Sequence, residues 1–322
     1  MDAVDAVDKV TVAAVQAAPV FLDREATIDK ACGLVDEAAR QGASLVVFPE
    51  SFVPAYPDWI WRLTPWELRA GALYARLLDQ AVVVGERGTE ALGEAALRNG
   101  CYVSIGVNER EPRGSTIFDT QLCFGPDGEI VSRHRKLTAT GAESLVWGLG
   151  DGSALAGVDT PFGRLGGLTA WENYLPLARA ALYAQAIDVY LAPTWDSSDV
   201  WTSSLRHIAK EGRVYVIGVN SCVRVSDIPS DVPFRDEIYG DGDGWLATGN
   251  SAIVGPEGEL LAGPVAEQER ILYAEIDPEA ARASRHQFDS VGHSARPDVL
   301  RLHVNFASRS PVRFTGDPGD QA

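Results

Sequence analysis

Apolar runs of strand length alternate with stretches of helical period along most of the chain. Residues 10–15 carry no charge, the pattern of a strand covered on both faces, and residues 44–48 repeat it. Between them Asp23 stands at a helix N-cap position, Ile28, Ala31, Val35, Ala38 and Ala39 form one face, and Gly42 is the stop. Residues 70–99 have helical character with Gly85 and Gly88 as breaks, and residues 102–108 are a strand. Residues 121–124 run into Gly125-Pro126-Asp127-Gly128, where proline presets φ and glycine takes the positive φ, so a hairpin returns through 129–135. A second hairpin, 251–254 with 259–262 around Gly255-Pro256-Glu257-Gly258, makes a faint internal repeat. Between the hairpins the pattern predicts strands at 165–169, 189–192 and 214–220 and helices at 175–186 and about 203–212. Strands and helices that alternate, with added hairpins, predict an α/β protein of mixed sheets covered by helices, and without a Pro/Ser-rich linker a single domain.

Two stretches fall outside this pattern. Residues 226–249 are polar and rich in Asp, Gly and Pro, long enough to suggest a functional loop or a subunit contact. Asp241-Gly242-Asp243 within it resembles part of a calcium loop but lacks the twelfth-position glutamate, so no metal is expected. Flexible ends are expected at the acidic residues 1–8 and at 307–322, leaving 9–306 as the domain.

Composition narrows the function. With 28 basic and 45 acidic side chains the net charge is −17, which weighs against nucleic-acid binding and its need for clustered positive charge. The first residues have neither a basic nor an apolar targeting segment, and no apolar run reaches the length of a membrane span. Cys32, Cys101, Cys123 and Cys222 lie far apart without a CxxC pair, consistent with reduced thiols in the cytoplasm.

Glu50 directly follows a buried strand, where α/β sheets open their clefts and a general base is well placed; on this pattern alone a turn cap or an ion-pair partner is the commoner reading. Lys136 closes the run Arg133-His134-Arg135-Lys136, by itself a solvated face, and Glu143 is by itself a loop acid. The segment 166–176 leaves a strand and enters a helix at Pro176, a usual seat for a nucleophile, yet Ala170 there has no reactive atom. GxSxG, HExxH, P-loop and dinucleotide fingerprints are absent, and His286 and His293 are not at metal-ligand spacing.

Taken in order, Phe48-Pro49-Glu50, His134-Arg135-Lys136-Leu137, Gly141-Ala142-Glu143 with Leu145-Val146-Trp147-Gly148, and Gly167-Leu168-Thr169-Ala170-Trp171-Glu172-Asn173 resemble the nitrilase branch of the carbon–nitrogen hydrolase superfamily. The likeness runs from Val15-Gln16-Ala17-Ala18-Pro19 through Tyr56-Pro57 to Gly292-His293 and Arg296-Pro297-Asp298-Val299. It implies a four-layer αββα sandwich, a homodimer or larger assembly that in some members is a spiral, a small nitrile as substrate, and no cofactor. Carried over residue by residue, Glu50 is the general base, Lys136 stabilises the tetrahedral intermediate, Glu143 assists, and Ala170 occupies the place of the cysteine nucleophile. The implied reaction passes through a thioimidate and a thioester to acid and ammonia, so alanine at 170 implies an inactive chain. Retention of the other groups points to an inactivated enzyme ahead of a natural non-catalytic binding or assembly homologue; amidase or cyanide-hydrolysing activity is the near alternative. Thr169 and Cys222 are poor substitutes, and Ala139 stands where many relatives have proline. Tyr56, Trp59, Trp171, Glu172 and Trp195 are expected around the substrate, their aromatic rings favouring aromatic or arylaliphatic nitriles.

Overall fold

The computed structural model describes residues 9–309. The acidic residues 1–8 and most of the expected C-terminal tail lie outside the described residues. In chain order the first half contains β1 (Val10–Gln16), α1 (Arg24–Arg40), β2 (Ala43–Val47), α2 (Leu68–Gln80), α3 (Arg87–Asn99), β3 (Tyr102–Arg110), β4 (Ile117–Phe124) and β5 (Ile130–Arg135). The second half contains β6 (Val158–Thr160), β7 (Gly163–Gly167), α4 (Pro176–Tyr183), β8 (Val189–Thr194), α5 (Asp199–Gly212), β9 (Tyr215–Asn220) and β10 (Cys222–Arg224). It continues with α6 (Arg235–Tyr239), β11 (Trp245–Val254), β12 (Leu260–Ala266), β13 (Arg270–Ile276) and α7 (Pro278–Ser284).

Six strands form one sheet in the order β13-β1-β2-β3-β4-β5, and seven form the other, β10-β11-β9-β8-β7-β6 with β12 paired to β11. In each sheet the central strands are parallel and hairpins complete the flanks. The apolar runs are unbroken because both faces of these strands are covered. Val12, Ala14, Leu45 and Val47 meet Val189, Leu191, Ile217 and Val219 between the sheets. Their alternate neighbours Ala13, Val15 and Val46 pack under α1 and α3, while Tyr190, Ala192 and Val216 pack under α4 and α5. A two-residue period feeding two different cores yields four layers, αββα.

Local rules hold at most boundaries. The Asp23 side chain accepts a hydrogen bond from the Ala26 N–H at 3.0 Å and caps α1. Gly128 and Gly258 adopt positive φ in the two hairpin turns. Gly85 separates α2 from α3, but Gly88 lies inside the first turn of α3 and breaks nothing. Residues 226–249 are more ordered than their composition suggests: Ile228, Val232 and Tyr239 are buried in a cluster with Trp59, and from Trp245 the chain is β11. No helix among the described residues is long and apolar enough to cross a membrane.

Candidate active site

Glu50, Lys136 and Glu143 converge from three separate segments. Phe48, Pro49 and Glu50 leave the end of β2, and the Pro49 carbonyl accepts a hydrogen bond from Gly106 N–H on β3 at 3.1 Å. Gly106 permits this approach, since a Cβ there would lie 2.4 Å from both the Pro49 oxygen and the Ser51 nitrogen. Lys136 follows β5 and is anchored by its own N–H to the Asp119 carbonyl at 2.8 Å. Glu143 sits in a 3-10 turn, Gly141–Leu145, opened by a capping box with Thr140.

Lys136 Nζ donates to Glu50 Oε1 at 2.6 Å and to Glu143 Oε2 at 2.9 Å, all three side chains being buried. The remaining oxygens are also engaged. Glu50 Oε2 accepts from Trp195 N–H at 2.8 Å, and Glu143 accepts from Tyr56 Oη at 2.8 Å and Thr140 N–H at 2.7 Å. Burial pushes Glu50 well above the usual carboxylate range although Lys136 opposes it. For Lys136 burial acts downward, but the surrounding carboxylates outweigh it and hold the ammonium form above its ordinary range. A base poised upward beside a fixed cation is chemically able to take a proton from a nucleophile.

Ala170 opens the turn Ala170–Tyr174 beyond β7 with φ +47, a left-handed conformation uncommon for a residue with a Cβ. Its turn is tied from below. Asn173 Nδ2 donates to the carbonyls of Leu168 at 2.9 Å and Ala170 at 2.7 Å, and Tyr190 Oη donates to Asn173 Oδ1 at 2.7 Å. Glu172, fully buried, accepts from Thr169 N–H at 2.8 Å, from His134 Nε2 at 3.0 Å and from Leu137 N–H. One carboxylate thus fastens the residue before Ala170 and the residue after Lys136.

A cleft of about 380 Å³ lies over this arrangement, lined by Glu50, Glu143 and Ala170 together with Tyr56, Trp61, Trp171 and Trp195. The rings of Tyr56 and Trp195 stack at 4.7 Å. Two of the residues expected around the substrate are elsewhere. Trp59 is closed inside a core cluster with Phe21, because in the turn Asp58–Trp61 residues two apart point to different sides and it is Trp61 that faces the cleft. Glu172 does not line the cleft, since its oxygens are spent on two backbone N–H groups and on His134. Trp61 and the buried Asp119 on β4 escaped the sequence reading. Trp61 carried a signal in its spacing from Trp59; Asp119, a single acid in a strand, carried none. Lys136 is itself buried behind the two glutamates. Cys222 lies on β10, off the cleft, with its thiol pushed up to about 11 by burial.

The carbon–nitrogen hydrolase family model matches residues 11–286. An aliphatic nitrilase of Sinorhizobium fredii is 42% identical over 311 residues, spanning 94% of this chain and 98% of that protein. Nitrilase 2 of Arabidopsis thaliana is 41% identical over 312 residues, 93% of this chain and 90% of that protein. Saccharomyces cerevisiae Nit3, a member of branch 10 of the nitrilase superfamily, shares the fold with a TM-score of 0.69 at 21% identity, covering 90% of this chain and 97% of its own. The chain belongs to the carbon–nitrogen hydrolase family, in its nitrilase branch.

Proposed function

We propose that this chain is a nitrilase scaffold for nitriles with an apolar, aromatic or arylaliphatic substituent, rendered inactive by alanine at the nucleophile position. The observation that carries the reading is Ala170 itself: a left-handed, non-glycine residue at a strand-to-helix turn, on the wall of the same cleft as Glu50 and Glu143. A side chain at such a turn is held out of the regular elements toward the cleft, at the cost of backbone strain that alanine gains nothing from.

With a cysteine at 170, Glu50 accepts the thiol proton and the thiolate attacks the nitrile carbon, giving a thioimidate whose nitrogen takes up a proton. Water adds to the thioimidate carbon, the C–N bond breaks, and ammonia leaves a thioester. A second water, deprotonated by Glu50, releases the acid and regenerates the thiol; two waters are consumed for one nitrile. Lys136 supplies positive field behind the glutamates where the tetrahedral intermediates carry negative charge. Glu143, tied to Lys136 and to Tyr56, fixes the aromatic wall relative to the charged cluster. Asp196, accepting from Trp171 Nε1 at 2.9 Å, fixes the other side.

None of the four native thiols supplies the missing nucleophile in this reading, because none lines the cleft. Homodimeric or larger assembly in the cytoplasm belongs to the same proposal. The exposed Leu177 on α4 and Val200 on α5 suit burial against a second copy, which solution size measures.

Ammonia release from aliphatic, aromatic and arylaliphatic nitriles and the matching amides, compared for this chain and Ala170→Cys, tests the function. Turnover of nitriles by the variant at least roughly 10⁴-fold above the chain as it stands is expected. Preference for amides would make the protein an amidase, preference for small aliphatic nitriles would remove the substituent assignment, and silence of a folded variant on every compound would leave a binding homologue.

A further inference from the structure

We propose that Asp119 is a third acid of the buried cluster and shares with Glu50 the one proton that the cluster retains. This deepens the reading of the site given above and rests on it only for the catalytic consequence.

Three carboxylates, Glu50, Asp119 and Glu143, surround the single ammonium of Lys136, with Asp119 Oδ2 at 3.5 Å from Nζ and every one of these side chains buried. If all were ionised the cluster would carry a net charge of −2 out of contact with water. Among the described residues no other cation balances it. Arg133 and Arg135, which alternate along β5 with His134 and Lys136, are paired to Glu109 instead. His134 faces the cluster from the same side of β5 but is bonded to Glu172. Carboxylates sharing such a site do not all ionise, so the group retains a proton.

The hydrogen bonds point to where it sits. Glu143 receives three donors, whereas Glu50 receives one on each oxygen, from Lys136 and Trp195, and so keeps a free acceptor position on both. Asp119 differs. Its Oδ1 accepts from Ser51 Oγ at 2.9 Å, while Oδ2 is buried with no hydrogen-bond partner. A proton shared with its neighbouring carboxyl, Glu50, gives that unsatisfied oxygen a partner. Burial drives both carboxyls above the usual range against the pull of Lys136, Glu50 the further of the two. Asp119 is therefore a positioning residue: it sets the protonation of the base without touching substrate.

Infrared spectroscopy of the intact chain at neutral pH reads this directly, because a protonated carboxyl has a carbonyl stretch that carboxylates lack. The expected result is such a band in the unmodified chain that disappears in Asp119→Asn. The Glu50→Gln variant removes the carboxyl that shares the proton and one negative charge with it, so there Asp119 ionises against Lys136 and the band is lost at neutral pH as well. Absence of the band from the unmodified chain, or its persistence unchanged in Asp119→Asn, overturns the proposal; should that variant not fold, an unchanged band in Glu50→Gln overturns it. The measurement needs no turnover, so a failed nitrile assay with an intact band pattern sinks the substrate reading alone.

Discussion

Replacing Glu172 by Gln probes the tie between the two halves of the site. The carboxylate offers one oxygen to Leu137 N–H and the other to Thr169 N–H and His134 Nε2. A glutamine has a single acceptor oxygen. In its better orientation it keeps Thr169 and His134 and turns its own NH2 against Leu137 N–H, leaving a buried donor unpaired at about 1–3 kcal/mol. Loss of the charged bond to His134 adds about 1 kcal/mol where the imidazole is protonated, for a total of about 3 kcal/mol. The sign with pH follows from His134. Burial lowers its affinity for a proton, but Glu172 outweighs this and raises it above the ordinary histidine value. A raised folded-state value means the pair stabilises fully below the unfolded histidine value, about 6.5, and loses that contribution as pH rises through the folded one. Urea unfolding of both proteins at pH 6 and pH 8 should therefore show the larger deficit at the lower pH. A deficit under about 1 kcal/mol at both values, or one that grows with pH, would refute the assignment of Glu172 as the clamp.

Other consequences are open to single measurements. Gly106→Ala drives a Cβ into the backbone of Pro49 and Ser51 and should lower the urea midpoint by an amount equivalent to about 3 kcal/mol or more, since neither atom is the end of a flexible side chain. Trp59→Ala should cost about 3–5 kcal/mol of stability, like other buried aromatic truncations. Trp61→Ala, half-exposed at 51%, should leave the unfolding midpoint nearly unchanged yet weaken binding of an aromatic nitrile measured by calorimetry; the reverse ranking would contradict the placement of the two rings. Native iodoacetamide labelling should be slow, with Cys101 and Cys222 pushed up to about 11 and Cys123 to about 12, while Ala170→Cys should add one fast site on the cleft.

The elements of this fold were legible wherever neighbours in the chain decide the outcome. Unbroken apolar runs at β1 and β2 announced strands covered twice, Asp23 announced the start of α1, and the Gly-Pro-Asp-Gly and Gly-Pro-Glu-Gly turns announced the hairpins. The ordered motifs also marked Glu50, Lys136, Glu143 and Ala170 as one set before any contact was known. What they do to one another was not in the motifs. The Lys136–Glu50 bond spans 86 residues and the Trp195–Glu50 bond 145, so no local pattern encodes them.

Tertiary structure alone separated side chains that look alike in the sequence. Trp59 and Trp61 share a four-residue turn, and only the packing of that turn against Phe21 and the cleft sends one inward and the other to the wall. Glu172 resembles a substrate-facing acid until its oxygens are found on the backbone beyond two strand ends and on His134. Asp119 is an isolated acid in β4 until the hairpin sets it beside Lys136 and the crossing from β2 delivers Glu50 to the same ammonium. Strand and helix follow from periods of two and 3.6 that a sequence displays openly, whereas a charge cluster depends on which strands become neighbours, and that is settled by the burial of the whole sheet.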